Sequence, residues 1–304
     1  MDPKNILELG PAAPELQLRA ALEIRESEDT RQTALNELKA LIQKDGTLDC
    51  STDDDYLLRF LRPTKFYPES ALKMIKDYFG HIKKHAELYK NMGPSQQAPI
   101  FDNNLISVSP LRDQFGRRVT VLKIGAWSSK FGSLDDIYRA TVQCAEMGAC
   151  EPATQMMGGV AVLDMKGTSL RHVTSLTPNF AKKVVDLIQG NFPLRFKAFH
   201  IVNQPRLFDL IYACFKPLLN DKLKSRVFLH GTDMQSLHNH VTPACLTKEY
   251  KGQLNNFDQE GLIDLLHDNE HVFKGIYYSA IAGTNQRLID CSIPQTHYVR
   301  LLCA

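Results

Sequence analysis

Apolar residues recur every three or four positions through the first ninety residues, then gather into short unbroken runs beyond position 100. The first pattern is that of amphipathic helices, the second that of strands. Residues 14–45, rich in Leu, Ala, Glu and Lys, predict one or two helices. Asp53 and Asp54 are placed to cap a short helix, DYLLRFL. It must end before Pro63, because a residue preceding proline is pushed out of the helical region. Pro68 suits the first turn of the next helix. There Leu72, Ile75, Phe79, Ile82, Ala86 and Tyr89 form one amphipathic stripe. The segment NMGPSQQAP (91–99) breaks the pattern and reads as a linker.

Beyond it, LISVS and RVTVLKI flank the turn DQFG and predict two strands. Ser133 and Asp136 form a capping box for a helix reaching about Glu151. GVAVLDM (159–165) is the apolar run of a buried parallel strand. FKAFHIV (196–202) and VFLH (227–230) follow as further strands. Between these strands lie a helix opened by Thr177 and Pro178 and stopped at Gly190, and a helix from Pro205 to about Leu219. The alternation predicts an α/β domain with a mostly parallel sheet at 100–256. A small helical domain (1–92) precedes it, and a C-terminal helix and tail (257–304) follow.

Composition narrows the function. Of 304 residues, 43% are hydrophobic and 23% charged, enough for a large core and a soluble surface. A net charge of +2 gives no support to nucleic-acid binding. The opening MDPKNILELG lacks the basic and apolar regions of a secretory signal. No apolar run nears the roughly 18 residues of a membrane span. A cytoplasmic location is therefore expected. The seven cysteines (Cys50, Cys144, Cys150, Cys214, Cys245, Cys291, Cys303) include no C-x-x-C pair, which argues against a disulfide framework or zinc ribbon and for reduced thiols.

Enzyme signatures are missing. The strand ending at Asp164 runs into MKGTSLRH, which holds neither G-x-G-x-x-G nor G-x-x-x-x-G-K-[ST], and G-x-S-x-G is absent throughout. His238 and His240 are two apart and would leave a helix on different sides, unlike a metal-binding pair at i, i+4. His200 and His230 lie in or beside predicted strands and suit hydrogen bonds within the core. For Asp164, a helix-capping or ion-pair role fits better than catalysis. The expectation is a protein that is not an enzyme and carries neither metal nor cofactor.

Charge, by contrast, is segregated. Between Arg195 and Arg226 stand seven basic residues (Arg195, Lys197, Arg206, Lys216, Lys222, Lys224, Arg226) against Asp209 and Asp221, a net +5 that leaves −3 for the rest. Such a segment suggests one docking face for anions. Inside it lies RLFDLIYACFKPLL (206–219), where Phe208, Ile211, Tyr212 and Phe215 form an apolar stripe while Leu207, Leu210 and Cys214 make the other side apolar too. A helix apolar nearly all round is either a buried core helix or a movable lid that meets a cavity when closed and lipid when open. Its basic flanks favour the lid.

These motifs resemble the CRAL-TRIO lipid-binding family from about Asp53 to Gly252, most of all its α-tocopherol transfer branch, with the retinaldehyde-binding branch close by. DDDYLLRFLRPTKFYPESALKMIKDYF is similar to the family's N-terminal helical domain. GVAVLDMKG, LTPNFAKKVVDLIQGNFPLRFKAFHIVNQP and FKPLLNDKLKSRVFLHG resemble its lipid-binding core. The resemblance implies a bowl-shaped cavity gated by the 205–219 helix and filled by one hydrophobic ligand, a tocopherol, retinoid or other isoprenoid. It implies phosphoinositide contacts at Arg195, Lys197, Lys222 and Arg226. It also implies a pocket lined by Tyr138, Thr141, Ala145, Leu163, Val184, Leu187 and Ile188, closed by Phe208, Ile211, Tyr212 and Phe215 of the lid. The expected protein is a monomer that visits endosomal or plasma membranes transiently. The alternative is a phosphoinositide-recruited regulatory module that moves no ligand. Two departures stand out: the family's L-P-x-E-Y-G-G reads LTKEYKG, with Thr247 for Pro and Lys251 for Gly, and Thr168 replaces an aromatic residue.

Overall fold

The helical stripes of the first hundred residues resolve into six helices in a computed structural model that describes residues 3, 4, 7–271, 273 and 277. They are α1 (Pro14–Ile24), α2 (Glu28–Asp45), α3 (Asp54–Leu61), α4 (Pro68–Lys84), α5 (Ala86–Tyr89) and α6 (Ala98–Asp102). Ser27 caps α2 by accepting from the backbone of Thr30. Asp53 sits at the N-cap of α3 but its carboxylate accepts from Ser51 instead, so the expected cap bond is not made. The expected single stripe from Leu72 to Tyr89 is interrupted at His85, whose backbone leaves the helix. Residues 91–99, expected as a linker, are tied into the core. Gln143 donates to Gln97 Oε1 at 2.8 Å and to the Met92 carbonyl at 2.9 Å.

The second half follows as β1 (Ile106–Arg112), β2 (Arg118–Leu122), α7 (Leu134–Cys150), α8 (Pro152–Met157), β3 (Gly159–Asp164), α9 (Leu170–Ser175), α10 (Pro178–Ile188), β4 (Phe196–Val202), α11 (Phe208–Phe215), α12 (Asp221–Lys224), β5 (Val227–Gly231), α13 (Met234–His238) and α14 (Gln259–Asp268). The strands form one sheet in the order β1-β2-β3-β4-β5, antiparallel only between β1 and β2. This is the expected α/β fold with a mostly parallel sheet. The Ser133–Asp136 capping box is formed. The helix expected from Pro205 to Leu219 is shorter. Arg206 and Leu207 form a turn before α11, and the chain turns again before α12, whose cap is the Asn220 side chain.

Because side chains alternate along a strand, the sheet has two different faces. Val119, Val121, Val160, Val162, Ala198 and Val202 pack on one side against Leu237, Val241, Cys245, Leu246 and Tyr250. Thr120, Leu122, Ala161, Leu163, Phe199 and Ile201 stand on the other, in paired register, and face a void. Gly158 is required where β3 begins: its φ is +83° and a Cβ there would lie 2.2 Å from the Arg195 carbonyl. No helix among the described residues is long and apolar enough to cross a membrane. Cys291, Cys303 and most of the expected tail lie outside the described residues.

Candidate functional site

The void on the second face is a cavity of about 320 Å³, walled almost entirely by carbon. Its floor is the β2–β3–β4 face. Helix α7 contributes Tyr138, Thr141 and Ala145, and α10 contributes Val184, Leu187 and Ile188, while Leu163 lies on the floor. Helix α11 closes the cavity with Phe208, Ile211, Tyr212 and Phe215. All the pocket and lid positions expected from sequence therefore border one cavity. The two faces of α11 differ: Phe208 is 5% and Ile211 9% exposed, whereas Leu210 is 53% exposed on the outer side. It is a covering helix with an apolar back, neither buried all round nor an ordinary surface helix.

Several wall residues carried no local sequence signal, among them Trp127, Phe180, Phe196 and His172. Phe196 stands on β4, but alternation from Phe199 and Ile201 would have put it on the other face; a register shift between Gly159 and Val160 brings it to the cavity side, opposite Gly159. His172 is one of the few polar side chains in the wall, with Arg118, Thr120 and Thr141 among the others. Its Nδ1 accepts from the Ser169 backbone at 3.0 Å, so the neutral ring carries its proton on Nε2. That Nε2 is buried and has no acceptor among the described residues. The ring packs edge-on against Trp127, with centroids 5.7 Å apart.

The residues considered for catalysis are held in structural bonds. Among the described residues, Asp164 caps no helix and forms no ion pair. It accepts from the Lys166 backbone, from Asn203 at 2.8 Å and from the Tyr250 hydroxyl at 3.0 Å. This ties the end of β3 to the LTKEYKG segment, where Lys251 takes the left-handed conformation at φ +54°. His200 and His230 hydrogen-bond to each other at 3.0 Å, and His238 bonds to the Tyr250 carbonyl.

Near the N-terminal ends of β4 and β5 the four expected basic residues lie in one electrostatic neighbourhood. Burial lowers the pKa of Lys222, and then Arg226, Lys65 and Arg195 lower it further. Burial likewise lowers Lys197, with Arg195 and Arg226 adding to it. Lys65 thus joins the patch from the turn after α3. Arg226 donates to the Phe196 carbonyl, and Arg195 to the Met156 carbonyl. Lys222 is exposed and makes no ion pair among the described residues. An acid unforeseen in the sequence enters here from α1. Glu23 Oε2 lies 3.1 Å from Arg195 Nη2 and 2.8 Å from Lys197 Nζ.

The sequence profile of the CRAL/TRIO domain matches residues 102–252, and that of the CRAL/TRIO N-terminal domain matches residues 17–77. An alpha-tocopherol transfer protein-like protein of Mus musculus is 34% identical over 245 residues, covering 80% of this chain and 71% of that one. Clavesin-1 of Rattus norvegicus is 30% identical over 250 residues, covering 81% and 70%. Among solved structures, that of Sfh5 superposes with a TM-score of 0.53 at 15% identity, over 80% of this chain and 98% of that chain, a likeness of fold.

Proposed function

The chain belongs to the CRAL/TRIO family, and from that premise we propose that it is a cytoplasmic lipid-transfer protein. It holds one hydrophobic molecule, of the tocopherol, retinoid or other isoprenoid class, and docks on phosphoinositide-bearing endosomal or plasma membranes through Arg195, Lys197, Lys222 and Arg226. The observation that carries the reading is the covered cavity, whose wall is almost wholly apolar and whose cover turns an apolar back outward. Burying about 500 Å² of an apolar ligand contributes up to ~12 kcal/mol, far too much for spontaneous release into water. Release onto a membrane avoids that step, because α11 can exchange its contacts with the ligand for contacts with lipid. Four basic residues contribute about 4 kcal/mol at an anionic surface, enough to dock and still leave.

The wall also suggests one feature of the ligand. An oxygen at one end of an apolar body would give His172 Nε2 the acceptor that no described residue supplies. The name of the Mus musculus relative, alpha-tocopherol transfer protein-like, points toward the same ligand class.

Native mass spectrometry of the purified monomer is expected to show one co-purifying lipid, and the loaded protein is expected to move it between donor and acceptor liposomes. A protein that purifies empty and takes up no fat-soluble molecule would overturn the reading. One that binds phosphoinositide vesicles but moves nothing would be a recruitment module instead.

A further inference from the structure

The patch of Arg195, Lys197, Lys222 and Arg226 is not empty of anions. Glu23 bridges Arg195 and Lys197 with a single carboxylate oxygen, at 3.1 and 2.8 Å. The Arg195 and Lys197 side chains are 12% and 22% exposed, whereas that of Glu23 is 35% exposed. Burial works against ionisation of Glu23, but the Lys197 hydrogen bond and charge, followed by those of Arg195, outweigh it and hold the carboxyl below its ordinary value. The acid is ionised at neutral pH and seated on two of the four cations that would receive a phosphate.

We propose that Glu23 is an internal stand-in for lipid phosphate, which a phosphoinositide headgroup displaces from Arg195 and Lys197 on docking. The inference rests on the docking reading given above and adds to it a residue from α1, 172 positions from Arg195 in sequence. Three observations favour displacement over a permanent bridge. Glu23 is the most exposed member of the trio, so it has a path out. The helix does not depend on it, because Ala20 and Ile24 anchor α1 and are fully buried. Its neighbour Leu22 is 87% exposed, so this edge of α1 borders solvent and a side-chain rotation frees the carboxylate without moving the backbone.

The exchange suits a phosphomonoester. It carries up to two negative charges at neutral pH and three acceptor oxygens, against one charge and two oxygens for the carboxylate it replaces. The guanidinium of Arg195 can then form the paired hydrogen bonds that it makes only singly with Glu23. The consequence is a weaker but more reversible site. Each docking event must first break the Glu23 contacts, and each departure is helped by their return. An intramolecular competitor lowers apparent affinity by the fraction of time for which it leaves the site free.

Sedimentation of the full chain with phosphatidylcholine vesicles containing phosphatidylinositol bisphosphate tests this. Glu23→Gln is expected to bind about tenfold more tightly than wild type, since two basic residues are freed. In the Arg195→Ala/Lys197→Ala background the same substitution is expected to change nothing. Tighter binding confined to the first background supports displacement. Unchanged or weaker binding of Glu23→Gln, with wild type binding normally, overturns it and makes Glu23 a support for the patch. If neither protein prefers bisphosphate vesicles over plain phosphatidylcholine, the docking reading itself fails. Should Glu23→Gln not fold, Glu23→Asp, one methylene shorter, carries the same expectation.

Discussion

The two faces of the central sheet are built from the same strands and kinds of residue, yet one is solid and the other encloses a void. On the solid face Val160 and Val162 interdigitate with Leu237, Val241 and Tyr250, all nearly or fully buried. On the other, Ala161 and Leu163 are only half-buried although they stand on the central strand of the sheet, because their free surface faces the cavity. Protein interiors normally close such gaps, since lost contacts destabilise. A void kept open beside a well-packed layer indicates a division of labour. The solid face holds the chain together while the hollow face holds a ligand.

The largest effect that tests this division is expected at Tyr250. Its side chain is fully buried and its hydroxyl donates to Asp164, which also holds Asn203. Tyr250→Ala should remove about 4 kcal/mol of unfolding free energy in urea, from the cavity left behind and the hydrogen bond lost at Asp164. A loss below about 1 kcal/mol would show that this face is not the stabilising one.

A smaller effect comes from pH. His200 is fully buried on the solid face; burial, with His230, His240 and Arg117, pushes its pKa down to about 3. Burial and His240 lower His230 too, while Asp233 opposes them. The His200 ring stays neutral in the folded protein over this range and His230 is held below its ordinary value, whereas in the unfolded chain both take up protons near pH 6.5. Above that value neither state gains a proton and stability is flat. As pH falls from about 6.5 toward the folded value, the unfolded state binds more protons and stability drops by about 1.4 kcal/mol per pH unit per histidine. Urea unfolding at pH 7, 6 and 5 should show this slope, and His200→Phe should reduce it by about one proton. An unchanged slope in the variant would place the titration elsewhere, with His81, which burial and His85 lower to about 4, as the other candidate.

How much of this was legible in the sequence follows from the same contrast. Strands β3 and β4 announced themselves as apolar runs, and the stripe of α11 marked the cover. The difference between the faces was invisible, because a strand buried against side chains and one facing a lipid cavity select the same residues. Short helices escaped for a local reason. Helices α9 and α12 span six and four residues, too few for periodicity, and depend on the Ser169–His172 and Asn220 caps. Glu23 escaped for a distant one: its partners lie 172 and 174 residues away. The cations were visible as a cluster in sequence; the acid that reaches them belongs to another element.

The smallest effect on stability should come from the hollow face, and it separates folding from loading most directly. Ala161 points into the cavity between Thr120 and Phe199 on the neighbouring strands. Ala161→Leu adds three carbons where no side chain stands in the way, so no overpacking arises and the unfolding free energy should shift by less than about 1 kcal/mol. Those carbons occupy space a ligand would need in a cavity of about 320 Å³. Native mass spectrometry should then find the variant folded but depleted of lipid, and loading with a fluorescent isoprenoid should fall by about tenfold or more, a shape-based exclusion worth roughly 1–3 kcal/mol. The equivalent change one position away, Val162→Phe, has no void to enter. It should destabilise by about 1–3 kcal/mol, since the added atoms meet the packed layer of Leu246 and Tyr250. If both substitutions cost the same stability, the void is not held open by the surrounding wall, and the two faces of the sheet do not differ as described.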